Sequence, residues 1–263
     1  MTGLILVTGG TGTLGRLLVQ RLTNGAQVRV LSRQAEPAGR DQAGWAAGDL
    51  KTGRGIEAAV SGADVIVHCA TTLGKGDVAA ARRLIDAARR AGRPHLVYIS
   101  IVGVDRVPVG YYKAKLEVER LVEGSGLPWS VLRATQFHQL ILRGCEMLAR
   151  LPVLLVPAAT AFQPIDAGEV AARLAELATG LPAGRVPDMG GPEICGAGDL
   201  GRRYLQARGR RRLVVPVRLP GAAFAGYRNG DHLAPDHAVG QATFAQFLAE
   251  RFGPGRGVSG GTA

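Results

Sequence analysis

Residues 4–15 read LILVTGGTGTLG, and this stretch decides the fold. Leu4–Thr8 is a short, continuous apolar run of the kind that forms a strand buried on both faces. Gly9, Gly12 and Gly15 follow it at a G-x-x-G-x-x-G spacing and lead into a helical pattern. A strand, a glycine-rich turn and a helix in this order are typical of the phosphate-binding turn of a dinucleotide fold.

Each glycine of the turn has a physical reason. Gly9 permits the tight turn, Gly12 lets the backbone approach a pyrophosphate, and Gly15 lets the helix pack on the strand. Backbone amides at the start of the helix then face the phosphates, where the helix dipole favours negative charge. The amides expected to do so belong to Thr11, Gly12, Thr13 and Leu14. The alternative, a glycine-rich connector without a ligand, fits the strand–turn–helix context less well.

Short apolar runs alternate with helical patterns through the first half of the chain. Strands are predicted at Leu4–Thr8, Ala26–Leu31, Trp45–Gly48, Asp64–Cys69, His95–Ser100 and Trp129–Leu132. Helices are predicted at Leu14–Leu22, Ile56–Val60, Val78–Ala91 and Tyr111–Glu123. Buried strands separated by crossover helices indicate an α/β fold with a doubly wound parallel sheet.

The pattern loosens in the second half, which reads as a smaller lobe. Helices are predicted at Gln136–Leu148, Ala167–Ala178, Asp199–Ala207 and Gln241–Arg251, with a strand at Leu213–Val217. We therefore expect a dinucleotide-binding core at 1–133, a substrate-binding lobe at 134–252 and a disordered Gly- and Ser-rich tail at 253–263.

Composition excludes several classes of protein. The chain has 263 residues, of which 46% are hydrophobic, so it is neither a disulfide-stapled miniprotein nor a disordered chain. Its net charge of +11 rests on 32 basic side chains of which only four are lysines, and such an arginine bias is weak evidence for a nucleic-acid partner. RGRRR at 208–212 lacks interleaved aromatic residues, so we expect no nucleic-acid partner.

Cysteine and histidine spacing argues against a metal site. The three cysteines lie far apart without a C-x-x-C motif, and the histidines of DHLAPDH at 231–237 have no recognised ligand spacing. No apolar run is long enough for a membrane helix or a signal-peptide core. We expect no metal, no membrane association and a cytoplasmic location.

The end of the second predicted strand bears on the choice of cofactor. Dinucleotide folds that prefer NAD usually carry an acidic residue there, whereas a basic residue accommodates the 2′-phosphate of NADP. This chain has Ser32 and Arg33 at that point, and no carboxylate precedes Glu36. NADP is therefore the expected cofactor, preferred over NAD, unless Arg33 is one more solvated arginine.

Tyr111 and Lys115 are the candidate catalytic pair. They stand at i and i+4 at the start of a predicted helix, so the phenol and the ammonium group share a face. A free phenol has a pKa near ~10, and a neighbouring ammonium group and the helix N-terminus stabilise its phenolate form. The alternative is an ordinary amphipathic helix start.

These features together resemble the atypical short-chain dehydrogenase/reductase proteins, in particular the NmrA-like NAD(P)-binding branch. The matching segments are TGGTGTLG at 8–15, GDL at 48–50, VIVHCA at 65–70, VYIS at 97–100 and YYKAKLEVERLVEGSGLPWSVLRATQF at 111–137. FQPIDAGEVA at 162–171 is similar to the family segment that returns to the sheet. The resemblance implies a Rossmann fold with a small C-terminal substrate lobe, in which residues 162–178 return to the core.

The resemblance also implies roles for individual residues. They are Asp49 and Leu50 near the adenine, Ala70 and Thr71 beside the cofactor, Tyr111 as proton donor, Lys115 as ribose anchor and Phe137 near the nicotinamide.

One position departs from the family pattern. Extended members usually have a Ser or Thr two residues beyond the strand-end serine, where it polarises the substrate carbonyl. Counted from Ser100, that position is Val102. Ser100 could substitute, but its place at the strand end suits cofactor contact better. The departure weakens the case for ordinary carbonyl reduction.

The favoured function is an NAD(P)H-dependent oxidoreductase that transfers a hydride to or from a small uncharged organic substrate, with Tyr111 as proton donor. Ketones, enones, quinones and imines are the expected classes, because 134–163 and 213–240 carry few charged residues apart from scattered arginines. The alternative is a non-catalytic, NADP(H)-sensing regulatory protein that controls a partner. A monomer or a homodimer is expected.

Overall fold

The computed structural model of the chain describes residues 3–33 and 43–253. Glu36 and, apart from Gly253, the predicted disordered tail lie outside these residues. The chain divides into two compact units. The first comprises the residues up to Ala134 together with Ala167–Met189, and the second comprises Thr135–Asp166 and the residues from Gly190 onward.

A parallel sheet forms the centre of the first unit and has seven strands within the described residues. In spatial order the strands are β3 (Gly44–Ala47), β2 (Gln27–Ser32), β1 (Leu4–Thr8), β4 (Val65–His68), β5 (His95–Ile101), β6 (Trp129–Ala134) and β9 (Gly184–Arg185). Each neighbouring pair is parallel. The order 3-2-1-4-5-6 is that of a Rossmann sheet, so the predicted doubly wound fold is confirmed.

Helices cover both faces of this sheet. The first face carries α2 (Ile56–Val60), α3 (Gly76–Arg90) and α4 (Gly110–Glu123), and the second carries α1 (Thr13–Leu22) and α6 (Ala167–Thr179). The core of the first face is built from apolar side chains of alternate strand positions and of the helices, among them Leu6, Ile66, Leu84, Leu96, Tyr98, Val118 and Val131. Because all strands are parallel, the loops after β1, β2, β4 and β5 leave the sheet at one edge, which is where such sheets bind ligands.

The second unit has its own small core. Its elements are α5 (His138–Leu148), β7 (Leu154–Pro157), β8 (Ala161–Phe162), β10 (Cys195–Gly196), α7 (Ala197–Ala207), β11 (Val214–Val217), α8 (Ala222–Asn229) and α9 (Phe244–Phe252). β7 pairs with β11 in parallel, and β8 pairs with β10 antiparallel. The core side chains include Leu142, Leu154, Leu200, Tyr204 and Phe244. A cavity of about 410 Å³ lies within this unit, lined by Val156, Val214, Tyr227 and Leu233 among others.

Two helices of the second unit begin later than the sequence predicts. α5 starts two residues later, because the backbone of Phe137 is extended and bridges Ile165. α9 starts three residues later, because Thr243 caps it: its hydroxyl accepts the N–H of Gln246 at 3.2 Å, and the side chain of Gln246 accepts the N–H of Thr243 at 2.8 Å. β7, β8, β9, β10 and α8 were not predicted, since short strands and a short helix leave little periodicity.

Candidate functional site

The turn after β1 is shaped by its glycines. Gly9 has a φ of 72°, a left-handed conformation that favours glycine, and its carbonyl accepts the N–H of Gly12 at 2.9 Å. A Cβ on Gly15 would lie 2.1 Å from that carbonyl, so α1 approaches the turn this closely only with glycine there. A Cβ on Gly12 would meet only the carbonyl of Gly9, at 3.3 Å. The exposed backbone at Gly12 therefore leaves space for a ligand.

This turn fits the phosphates of a dinucleotide. α1 begins at Thr13 with Gly12 as its N-cap, and no side chain of the described residues caps it. The positive end of the helix dipole is therefore open to an anion. The amide of Gly12 donates to the carbonyl of Gly9 inside the turn. The predicted roles of the amides of Thr11, Gly12, Thr13 and Leu14 at the phosphates stay predictions.

The residues predicted to bind the adenosine half lie after β2 and β3. Ser32 ends β2 and is buried, whereas Arg33 follows it and is exposed, so the guanidinium is accessible to an anion. The carboxylate of Asp49 accepts the backbone N–H two residues further on at 2.8 Å and so holds the loop after β3. Leu50 packs against the core of the first face. Contact of these residues with a cofactor stays a prediction.

The ends of β1, β4 and β5 carry the next group of predicted residues. The hydroxyl of Thr8 accepts the N–H of Ala70 at 3.4 Å, which ties the loop after β4 to β1. Ser100 is 2% exposed, and its hydroxyl has no hydrogen-bond partner among the described residues. Val102 is fully buried and donates its N–H to the carbonyl of Ala134 at 3.1 Å. The position where the family carries a polarising hydroxyl is therefore occupied by an apolar core residue.

Tyr111 is connected to a carboxylate through one hydroxyl. The phenolic oxygen of Tyr111, in the first turn of α4, lies 3.4 Å from Oγ1 of Thr71. Oγ1 of Thr71 donates to Oδ2 of Asp77 at 2.6 Å. Thr71 lies in the loop after β4 and Asp77 lies in the first turn of α3. The loop after β4 thus brings a hydroxyl between the candidate proton donor and an acidic side chain.

Asp77 holds this loop in place. Its carboxylate is 3% exposed and also accepts the hydroxyl of Thr72 at 2.7 Å and the N–H of Thr72. The amino end of a helix is a favourable place for a negative charge. Oγ1 of Thr71 in turn accepts the N–H of Leu73 at 3.0 Å. Asp77 was not predicted as a site residue, because in the sequence it is an ordinary acidic residue at the start of a helix.

Lys115 is buried beneath Tyr111. Its Nζ donates to the carbonyl of Ile99 at 3.0 Å and lies 4.7 Å from the ring centroid of Tyr98 and 6.0 Å from that of Tyr111. Burial lowers the pKa of Lys115 to about 8, although the charge of Asp77 acts in the opposite direction. The ammonium group is thus positioned by β5, and its contact with a ribose stays a prediction.

The pKa of the Tyr111 phenol differs from the expectation. Burial raises this pKa above its ordinary value, a hydrogen bond donated by the hydroxyl of Thr71 would lower it, and the charge of Asp77 raises it. The sequence predicted that the ammonium group and the helix N-terminus favour the phenolate. Burial is the largest cause acting on this pKa in the described structure, and the net change has the opposite direction.

His68 completes the buried group at the carboxyl end of β4. Its Nδ1 lies 2.7 Å from the hydroxyl of Thr8, and its ring stacks on Tyr98 with the centroids 5.5 Å apart. Burial, with the charge of Lys115 as the next cause, lowers the pKa of His68 to about 3. His68 is therefore neutral near pH 7 and adds no positive charge beside the ammonium group.

A buried ion pair fixes α4 to the sheet. Nε and Nη2 of Arg133 in β6 donate to the two carboxylate oxygens of Glu119 at 2.9 and 2.6 Å. Nη1 of Arg133 donates to Asp105 at 3.0 Å. Glu119 lies one turn after Lys115 on the same helix. This bidentate pair therefore holds the helix that presents Tyr111 and Lys115.

A sequence model of the NAD(P)H-binding family matches residues 9–140. The chain belongs to this family. The matched residues include the glycine turn, the loop with Thr71 and Asp77, and the helix with Tyr111 and Lys115. This match confirms the NAD(P)-binding resemblance that the motifs indicated.

Two relatives of the chain are named for different functions, a reductase and an assembly factor. The chain is 32% identical over 178 residues to the NAD(P)H azoreductase of Xenophilus azovorans, which covers 64% of this chain and 61% of that protein. It is 30% identical over 182 residues to the photosystem II assembly factor Ycf39 of Trieres chinensis, with 64% and 57% covered. The chain spans less than two thirds of the length of either relative.

A solved structure shares the fold over nearly the whole chain. The NADPH-dependent quinone oxidoreductase of Escherichia coli, in complex with NADPH, matches with a TM-score of 0.82 at 17% identity, covering 94% of this chain and 99% of that one. Such neighbours confirm the Rossmann-type fold. No helix within the described ranges combines the length and the apolar character needed to cross a bilayer.

Phe137, His138 and His232 lie in the second unit. Phe137 is the N-cap of α5, and its contact with a nicotinamide stays a prediction. His138 is fully buried, with its ring 5.2 Å from that of Phe247. His232 is also fully buried and packs edge-on against Tyr227 at 4.7 Å. Both histidines are therefore core residues of this unit, and the described residues hold no group of three or more His, Cys, Asp or Glu side chains that could bind a metal.

Proposed function

We propose that this protein is an NADPH-dependent oxidoreductase that acts on a small uncharged organic substrate, with Tyr111 as the proton donor. The observation that carries the proposal is the half-buried phenol of Tyr111 beside the buried ammonium group of Lys115. Both residues fall in the segment that matches the NAD(P)H-binding family. Their helix follows β5, which ends at the same edge of the parallel sheet as the glycine turn after β1. A proton donor next to a fixed positive charge is what hydride transfer to a polar double bond requires.

The residues of the first unit have distinct roles in this proposal. The turn at Gly9–Gly15 binds the pyrophosphate at the start of α1, and Arg33 binds the 2′-phosphate that distinguishes NADPH from NADH. When bound, the reduced nicotinamide supplies the hydride. Tyr111 donates its phenolic proton to the substrate atom that becomes negative, and solvent returns a proton to the phenolate. Lys115 anchors the ribose and stabilises the phenolate with its charge.

The substrate class follows from what the site lacks and from the relatives. An apolar Val102 in the core cannot polarise a carbonyl, which disfavours simple ketones relative to substrates that are already electron-poor. Two relatives are named an NAD(P)H azoreductase and an NADPH-dependent quinone oxidoreductase. Quinones, azo compounds, enones and imines are therefore the classes we propose.

The experiment is a turnover panel. The purified protein is mixed with NADPH and with quinones, azo dyes, enones, imines and ketones, and the loss of NADPH absorbance is followed. We expect turnover with at least one electron-poor class and little with simple ketones. The absence of turnover with every class, together with tight NADPH binding, would contradict the proposal.

A second candidate function is an NADP(H)-sensing protein that controls a partner. Two observations favour it: the buried Val102, and the likeness to a protein named a photosystem II assembly factor. A sensor needs the glycine turn but no proton donor. If no substrate of the panel is turned over and NADPH protects the chain from proteolysis, the results would support this function instead.

A further inference from the structure

The single hydrogen of the Thr71 hydroxyl determines which residue is the hydrogen-bond donor in the contact with Tyr111. A hydroxyl has one hydrogen to donate, and an ionised carboxylate can only accept. The 2.6 Å contact between Oγ1 of Thr71 and Oδ2 of Asp77 therefore takes this hydrogen, because a charge-assisted hydrogen bond is the stronger one. The hydrogen of the 3.4 Å contact must then come from Tyr111. Tyr111 donates to Thr71, and Thr71 donates to Asp77.

We propose that Asp77 is a positioning residue that acts through Thr71 to keep Tyr111 in its protonated form, so that the site is arranged for reduction. This inference rests on the proposed function, since a retained phenolic proton matters where Tyr111 donates one. A reductase needs the phenol, whereas a dehydrogenase needs the phenolate as a base. Asp77 would thus bias the chemistry without touching substrate or cofactor.

The geometry explains why the phenolate is disfavoured. A phenolate at Tyr111 needs a hydrogen-bond donor, and Thr71 is the hydroxyl beside it. Thr71 could turn its hydrogen to the phenolate only by breaking its bond to Asp77. Asp77 is almost fully buried, so water cannot readily replace the lost donor. The phenol form keeps all these hydrogen bonds, including the N–H of Leu73 that Thr71 accepts.

Other titratable and charged groups surround Tyr111. The ammonium group of Lys115 on α4 lies 6.0 Å from the ring centroid of Tyr111. A positive charge there favours the phenolate, whereas the charge of Asp77 on α3 opposes it. His68 on β4 is neutral, because burial and the charge of Lys115 lower its pKa to about 3. Burial raises the pKa of Cys69 to about 12 and that of Tyr98 well above its ordinary value, so both stay protonated and neutral. The charges that compete at Tyr111 are therefore those of Lys115 and Asp77.

The test is a titration of the Tyr111 phenol in the cofactor-free protein. Phenolate absorbance is followed against pH, and the difference between each protein and its Tyr111→Phe counterpart isolates the signal of Tyr111. In Asp77→Asn, the amide nitrogen donates to Thr71 and frees the Thr71 hydrogen for the phenolate. We expect the Tyr111 midpoint to move to lower pH in this variant. The matched control is Asp86→Asn, which removes the same charge from an exposed position on α3 and should leave the midpoint unchanged.

Two further variants test whether the effect passes through Thr71. Thr71→Val removes the hydroxyl from an exposed position and should also lower the midpoint, whereas Thr71→Ser should keep the wild-type value. In the double variant, the shift should be smaller than the sum of the two single shifts, since only the direct effect of the Asp77 charge remains. Additive shifts, or an unchanged midpoint in Asp77→Asn, would overturn the proposal. If Asp77→Asn does not fold, an unchanged midpoint in Thr71→Val overturns it alone.

This titration separates the inference from the proposed function. A moved midpoint with no turnover on any substrate would leave the role of Asp77 standing and remove the oxidoreductase. Turnover that requires Tyr111, with the same midpoint in all variants, would remove the role of Asp77 and leave the oxidoreductase standing.

Discussion

The ammonium group of Lys115 lies 4.7 Å from the ring centroid of Tyr98, within range of a cation–π contact. Lys115 is 4% exposed, and its ammonium group donates to the carbonyl of Ile99 at 3.0 Å. Burial lowers the pKa of Lys115 to about 8, while the charges of Asp77 and Glu119 act in the opposite direction. The positive charge of this ammonium group is therefore lost at a moderately alkaline pH.

We expect turnover to fall as the pH rises through about 8, because Lys115 carries its charge below this pH and is neutral above it. The measurement is the pH dependence of kcat in the wild type and in Lys113→Met, which changes an exposed lysine of the same helix. The two profiles should coincide, and Lys115→Met should be strongly impaired at every pH. A wild-type rate that stays constant well above pH 8 would contradict this role of Lys115.

The buried pair of Glu119 and Arg133 is expected to stabilise the protein through α4. Glu119 is 2% exposed, so Glu119→Gln leaves the guanidinium of Arg133 with the half-exposed Asp105 as its remaining charged partner. Breaking a buried ion pair costs about 3–5 kcal/mol. We expect a loss of this order in the free energy of unfolding, measured by chemical denaturation.

Glu117→Gln is the matched control for this loss. Glu117 lies on the same helix, pairs with Arg82 at 3.5 Å and is 51% exposed. Exposed pairs contribute about 0–1 kcal/mol, so the control should remain close to the wild type. Equal losses in the two variants would show that the buried pair contributes no more to the free energy of unfolding than the exposed pair.

Local patterns made the first unit predictable. The apolar run Leu4–Thr8 and the glycines after it produce strand, turn and helix by local sterics, and the i,i+4 spacing places Tyr111 and Lys115 on one helical face. Long-range contacts were not predictable in this way. Thr71 and Tyr111 are 40 positions apart in the sequence, and no periodicity of the sequence predicts that they are in contact.

The same limit explains the unexpected pKa of Tyr111 and the errors in the second unit. The burial of Tyr111 and the charge of Asp77 depend on how α3 and α4 pack, which a single sequence does not encode locally. In the second unit, the β-bridge of Phe137 overrides the helical pattern before α5.

Arg33 is expected to select NADPH. Its guanidinium follows β2 and is exposed, so it can bind a 2′-phosphate. A hydrogen bond to a charged group contributes about 1.5–3 kcal/mol, so Arg33→Ala should weaken NADPH binding roughly 10- to 100-fold. The affinity for NADH should change little, and both are measured by fluorescence titration.

Arg21→Ala is the matched control for Arg33→Ala. It removes an exposed arginine from the last turn of α1, so the change in net charge is the same. NADPH affinity should be retained in this control. A similar loss of NADPH and NADH affinity in Arg33→Ala would instead indicate that Arg33 does not read the 2′-phosphate.

The central claim is that Tyr111 donates the proton in a reduction that uses NADPH. Single-turnover oxidation of bound NADPH by the best substrate of the panel tests it most directly, compared among the wild type, Tyr111→Phe and the control Tyr112→Phe, whose ring is buried on another side of α4. Loss of a general acid reduces rates about 10²- to 10⁴-fold. We predict a loss of this order in Tyr111→Phe with nearly unchanged NADPH affinity and a rate near the wild type in Tyr112→Phe. A wild-type rate in Tyr111→Phe would contradict the account.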